Sequence, residues 1–289
     1  MPGINPKPPK ARALGAVLRE VRETAGLSQR RLATKISRDQ GVVSRWETGD
    51  RIPDVADVAQ YLTALGIAGA RYDEVVGMAG NLDTPRWVAI TLPEQRAQLA
   101  GLLDLESTAS AITDISPLLI PGLLQTRDYT KEIMAAAALP AEELSTRVAI
   151  RAGRRDVITR PDPASLLALI GEAALRQMIV PPELMARQLR YVLEMAERPN
   201  VDVRVLPFRA GWHPGVEGPF TLIEPRGESP VVHLEKRESG LFLHEEKDVA
   251  VYRQAVDWVL KAGMSAEDSA QLVDEVIKEM EQMAGNQVS

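Results

Sequence analysis

Gln40 and Arg45 stand one helical turn and a residue apart in the stretch SRDQGVVSRWETG, Ser37–Gly49. An amide and a guanidinium are the side chains that pair bidentately with the edges of adenine and guanine, and each such pair discriminates by about 1–3 kcal/mol. One at the start of a short helix and one a turn further on is how a helix reads bases in a major groove. Ser44 can reach a base or a phosphate, whereas Gly41 brings no side chain to a reading position. Arg30, Arg38 and Arg51 flank the stretch and are candidates for phosphate oxygens.

That chemistry needs a positive surface, and the 289-residue chain carries a formal charge of −6. Assigning charge by segment removes the conflict. Residues 1–51 hold eleven Lys and Arg against five Asp and Glu, a balance of +6, which leaves −12 for the remainder. Such asymmetry suggests a nucleic-acid-facing end joined to an acidic end with another task.

The hydrophobic pattern supplies elements to position these residues. Residues 1–10, with four Pro and two Lys, read as a disordered basic arm. From Arg12 onward, Leu14, Val17, Leu18 and Val21 fall on one helical face, which Gly26 ends. Ser28 caps a helix from Gln29 to about Ile36, and Asp39 is placed to cap the helix through Glu47. Asp54 caps a fourth helix, and a fifth runs near Tyr72–Met78. The spacing predicts an all-helical domain over 11–80, a linker at 81–92, and a second domain over 93–285. In that second part, helices surround short runs such as VDVRVLPF, PFTLIEP, PVVHLEK and GLFLHEE. These predict a small antiparallel sheet and an α+β class.

Position by position, Leu27–Gly49 resembles the phage-repressor-like (Cro/Xre) helix-turn-helix family, ungapped. The matching residues are Leu27-Ser28-Gln29, Leu32-Ala33, Val43-Ser44-Arg45, Trp46 and Glu47-Thr48-Gly49, then Arg51 and Pro53. The resemblance implies that Gln29, at the start of the first helix of the pair, meets a phosphate. It also implies that Glu47 pairs with Arg22 to orient the reading helix, and that Trp46 fills a core position held by Ile or Leu in the family. Ser37 stands where the family often has Gly, so mild backbone strain is expected there.

The acidic part resembles the C-terminal domain of actinobacterial two-domain helix-turn-helix regulators. Ile120-Pro121-Gly122-Leu123-Leu124-Gln125-Thr126 with Tyr129, Gly171-Glu172-Ala173-Ala174-Leu175-Arg176, Arg198-Pro199-Asn200-Val201, Val205-Leu206-Pro207-Phe208 and Gly218-Pro219-Phe220 carry it. It implies a regulator of development or secondary metabolism, often encoded beside a small partner protein. Among its residues, Glu172, Trp212, His213 and Phe220 are candidates for a ligand pocket. The alternatives are a surface loop with Trp212 packed inward, and Glu172 as a helix N-terminal carboxylate.

Other chemistry finds little footing. The absence of Cys excludes disulfides and thiolate metal sites. His213, His233 and His244 are the three histidines; His233-Leu234-Glu235 and His244-Glu245-Glu246 lack the spacing of a metal site. No phosphate-binding loop, dinucleotide fingerprint or nucleophile elbow occurs, so neither catalysis nor a cofactor is expected. The start has no signal-peptide core, and no apolar run approaches the roughly 18 residues of a membrane span, so a cytoplasmic protein without membrane contact is expected. The sequence therefore predicts a regulator that binds double-stranded DNA as a homodimer, its acidic domain answering to a small-molecule effector or a small partner protein. The alternative is an antitoxin-like or adaptor protein whose C-terminal domain binds a partner, DNA binding being secondary.

Overall fold

The structure is a computed structural model and describes residues 8–80, 86–89, 92–135, 141–236 and 239–287. Five helices open the chain: α1 (Pro9–Thr24), α2 (Gln29–Lys35), α3 (Gln40–Glu47), α4 (Val55–Ala64) and α5 (Ala70–Met78). Next come β1 (Arg86–Ala89), α6 (Leu92–Ser107), β2 (Ala109–Ser116), α7 (Arg127–Ala135), α8 (Ala141–Gly153) and α9 (Asp156–Thr159). They are followed by β3 (Ser165–Gly171), α10 (Glu172–Arg176), α11 (Pro182–Ala196), β4 (Val201–Leu206) and β5 (Phe220–Pro225). The chain closes with β6 (Val231–Lys236), β7 (Ser239–Leu243), α12 (Glu246–Ala262) and α13 (Ala266–Gln287). An all-helical N-terminal region thus precedes an α+β region, as expected.

Contacts divide the chain into two compact units, Met1–Thr108 with Glu224–Val249, and Ala109–Ile223 with Ala250–Ser289. The segment read as a linker contains β1, and its residues 81–85, 90 and 91 lie outside the described residues. Of the expected disordered arm, 1–7 lie outside them too, while Pro9 and Lys10 already belong to α1. Proline fits the first helical position, because it has no N–H to leave unpaired there and its φ is preset.

In the first unit, Leu14, Leu18, Leu32, Ile36, Val43, Trp46, Tyr61 and Leu62 are almost fully buried. Each such side chain contributes roughly 1.5–3 kcal/mol by leaving water. Ser28 and Asp54 accept from the backbone N–H of Arg31 and Asp57, at 3.3 and 2.7 Å. Asp39 occupies the cap position of α3 with extended backbone but makes no side-chain cap bond, so that expectation holds in place and not in chemistry. In the same unit β7 pairs antiparallel with β1 and with β6, in the registers Trp87↔Phe242 and His233↔Phe242.

The second unit holds β2, β3 and β4, which run parallel in the registers Ile112↔Leu166 and Leu166↔Val201. The antiparallel arrangement expected of the short strands is therefore found between β6 and β7, and β7 also pairs with β1, which the sequence reading placed in the linker, but VDVRVL enters a parallel ladder. Alternation in sequence reports which face is buried; it carries no direction. α13 packs on α11 and β4, and its Val273, Val276, Ile277 and Met280 are buried. The segment IPGLLQT serves folding, since Leu123 and Leu124 are buried. The buried amide of Gln188 donates to the Leu124 carbonyl at 2.7 Å and accepts from the Thr126 N–H at 2.7 Å.

Candidate nucleic-acid interface

The pair α2–α3 is held in place from below by one carboxylate. Glu47, 1% exposed, receives Arg22 Nε and Nη2 at 2.7 and 2.8 Å, a bidentate fork. Gln29 Nε2 donates to it at 2.9 Å and the Tyr61 hydroxyl at 2.6 Å. Residues from α1, α2, α3 and α4 therefore meet at a single buried charge. Burial alone would disfavour that charge; the hydrogen bonds from Arg22, Tyr61 and Gln29 outweigh it and hold the pKa of Glu47 below its ordinary value. Burial and the neighbouring carboxylate push the Tyr61 hydroxyl the other way, upward, which keeps it a donor.

Two side chains that the sequence reading missed complete this support. Tyr61 lies three residues after Val58 on the buried face of α4, and a hydroxyl in that position needs a partner. Arg19 donates from Nη2 to the Glu47 carbonyl at 3.1 Å, a cation at the C-terminal end of α3. Trp46 is 1% exposed, so it packs and does not stack on a base. Its Nε1 has no hydrogen-bond partner among the described residues.

On the outer side of α3, Gln40, Gly41 and Arg45 are exposed and Ser44 is half-buried. Arg45 folds back along the helix: a Cβ on Gly41 would stand 3.3 Å from its Nη1. The bare backbone at Gly41 thus makes room for the guanidinium four residues on. Arg30 and Arg51 are exposed too, and like Arg45 they form no ion pair among the described residues. The backbone N–H of Arg51 donates to the Arg45 carbonyl at 3.1 Å, fixing the turn after α3.

Two expected phosphate partners are engaged elsewhere. The Gln29 amide is turned inward to Glu47, because a buried carboxylate must collect donors. Arg38 is bonded to Asp57 on α4 at 2.7 Å, a half-exposed pair that costs little to break. Ser37 has φ +54°, alone among the described non-glycine residues in the left-handed region, where the family often has Gly.

Among the described residues no hydrogen bond, ion pair or ring contact joins Glu172, Trp212, His213 and Phe220 to one another. Glu172 accepts from Arg176 Nε at 2.8 Å and from the backbone N–H of Phe208 at 2.9 Å, which makes it a link between α10 and the loop after β4. Trp212 is 66% exposed, whereas His213 is 7% exposed, its ring close against Gly215, with its pKa lowered by burial. The loop therefore turns its indole out and its imidazole in, the reverse of a surface loop with Trp212 packed inward. Phe220 is buried edge-on against Tyr252, with ring centroids 4.9 Å apart.

Comparison with known families agrees with this division of labour. Residues 13–75 match the family described as a helix-turn-helix domain. Residues 99–275, more than half of the chain, match the family described as a domain of unknown function, DUF5753. The chain belongs to the DUF5753 family. Neither the curated proteins nor the solved structures contain a match to it. In this DUF5753 protein the helix-turn-helix match spans α1 to α5, so every residue proposed to face DNA lies inside it. No helix among the described residues is long and apolar enough to cross a membrane.

Proposed function

We propose that this DNA-binding regulator is a sequence-specific transcription factor of the Cro/Xre type, from the actinobacterial two-domain group. It acts as a cytoplasmic homodimer on a near-palindromic operator. Two copies of α3 would enter successive major grooves about 34 Å apart. The observation that carries the reading is the exposed face of α3. The side chains of Gln40 and Arg45 stand there without hydrogen-bond or ion-pair partners among the described residues, while Glu47, on the opposite face, anchors the helix to three others. Arg30 and Arg51 supply phosphate contacts beside it, with Arg38 released from Asp57. The C-terminal unit answers to a small ligand or to a small partner protein encoded by a neighbouring gene. Exposed Leu118, Leu119, Phe208 and Trp212, in the loops after β2 and β4, support a protein contact. No catalysis, metal or cofactor enters this role.

The test is binding to the DNA upstream of the protein's own gene, compared with random duplex. Arg45→Ala should lose about 1–3 kcal/mol on the cognate site and little on random DNA. Arg51→Ala should weaken both alike and reduce the salt slope by about 1. Equal loss on both duplexes for Arg45→Ala would overturn base reading by α3.

A further inference from the structure

In the second unit a wide, open cleft of about 470 Å³ lies along the end of α8, α9 and one face of α11. Its centre is a cross-bridge. Arg155 lies over the Tyr191 ring, 5.0 Å from the centroid, and donates from Nη1 to the Tyr191 oxygen at 2.9 Å. Because that oxygen accepts, the hydroxyl proton remains available to a ligand. Arg198 lines the same cleft, seven residues from Tyr191 and so on the same side of the chain as it leaves α11. The Nε of Arg198 is buried without a hydrogen-bond partner among the described residues, and its Nη2 reaches only the Thr159 carbonyl, at 3.4 Å. A buried guanidinium N–H with no acceptor is rare in folded proteins; closed to solvent as it stands, this one meets a ligand oxygen once the Arg198 side chain turns toward the cleft.

Two carboxylates share the cleft. Asp156 and Glu194 are exposed and form no ion pair among the described residues. Two guanidiniums and two carboxylates give a lining without net charge. A simple anion would lose at the acids part of what it gains at the arginines, whereas a molecule carrying both signs satisfies both.

We propose that this cleft binds a small zwitterion of the α-amino-acid class, its carboxylate held by Arg155, Arg198 and the Tyr191 hydroxyl and its ammonium by Asp156 and Glu194. The proposal deepens, and rests on, the reading that the second unit answers to a small ligand. It places the ligand site on α8, α9 and α11, away from the loop that carries Trp212 and His213.

The experiment is calorimetric titration of the full chain with single L-α-amino acids, and with sodium acetate and inorganic phosphate at matched ionic strength. At least one amino acid should bind saturably and shift the Arg198 Nε–H resonance, while acetate and phosphate bind more weakly. Arg198→Ala should weaken binding about tenfold or more. Gly153→Leu should abolish it by filling the cleft; a Cβ at Gly153 meets nothing within 4 Å, so the melting temperature and DNA binding should stay as in the parent chain. The proposal is overturned if no amino acid binds at about 10 mM, if acetate or phosphate binds as tightly, or if both variants keep the parent affinity. Saturable binding that leaves operator affinity unchanged upholds the site and removes its role as an effector site.

Discussion

Glu47 is a charge in a nearly dry place, and its partners decide how much acid the helical region withstands. Its folded pKa lies below its ordinary value of 4.5, so its stabilising effect is complete above that value. As pH falls through the lower folded value the carboxylate takes a proton, the fork to Arg22 is lost, and stability drops. Melting of the parent chain should therefore fall, as pH drops below about 5, more steeply than that of Glu47→Gln, which has no such proton to take. At neutral pH the same variant should be less stable by about 3 kcal/mol, because Arg22 keeps a buried charge without its counter-ion. An equal acid slope in both proteins would show that other carboxylates govern the transition. Ser37 offers a change of opposite sign. A side chain at φ +54° costs about 1–2 kcal/mol that glycine avoids, less the greater freedom that glycine loses on folding. Ser37→Gly should raise stability by up to about 1 kcal/mol in chemical denaturation, with no effect on base preference.

At the scale of elements, the orientation of α3 depends on how closely α1 approaches its end. A Cβ on Gly15 would stand 2.7 Å from the carbonyl oxygens of both Trp46 and Glu47. Backbone cannot yield there as a flexible side chain would, so Gly15→Ala should push α1 and α3 apart. The expected cost is about 1–3 kcal/mol in stability. Binding should weaken on cognate and random DNA together, which gel shifts with both duplexes would check. That helices would lie here was legible from the 3.6-residue spacing of Leu14, Val17, Leu18 and Val21, and from Ser28 and Asp54 as caps. The Arg22–Glu47 pair was legible through resemblance to a known motif. Tyr61 and Arg19 were not, because a polar group on a helix reveals its partner only when a second helix is in place. The direction of β4 and the separate partners of Glu172 and Phe220 were hidden for the same reason. Both depend on contacts between residues remote in sequence, where period and residue type say nothing.

At the scale of the whole chain, the helix-turn-helix does not end where its helices end. Arg12, on α1 and only 3% exposed, donates to Asp104 on α6 at 3.0 Å and, from Nε, to Glu228 before β6 at 3.1 Å. These partners lie 92 and 216 residues away in sequence, yet all three belong to the first unit. The buried face of α1 is likewise packed against α6 within that unit. A guanidinium so buried is tolerated because two carboxylates meet it, and removing the partners of a buried charge costs about 3–5 kcal/mol. A fragment ending at Gly80 contains the complete α1–α5 but neither Asp104 nor Glu228. It should melt well below the full chain, even though Glu47 and its four donors are intact. Because Gln40 and Arg45 are unaffected, the fragment's preference for cognate over random DNA should survive at low temperature while its affinity falls. Replacing Arg12 by Met should restore part of the fragment's stability, since the charge that lost its partners is then gone. A fragment that melts with the full chain and gains nothing from Arg12→Met would show that the helical region folds independently of α6 and the Glu224–Val249 segment.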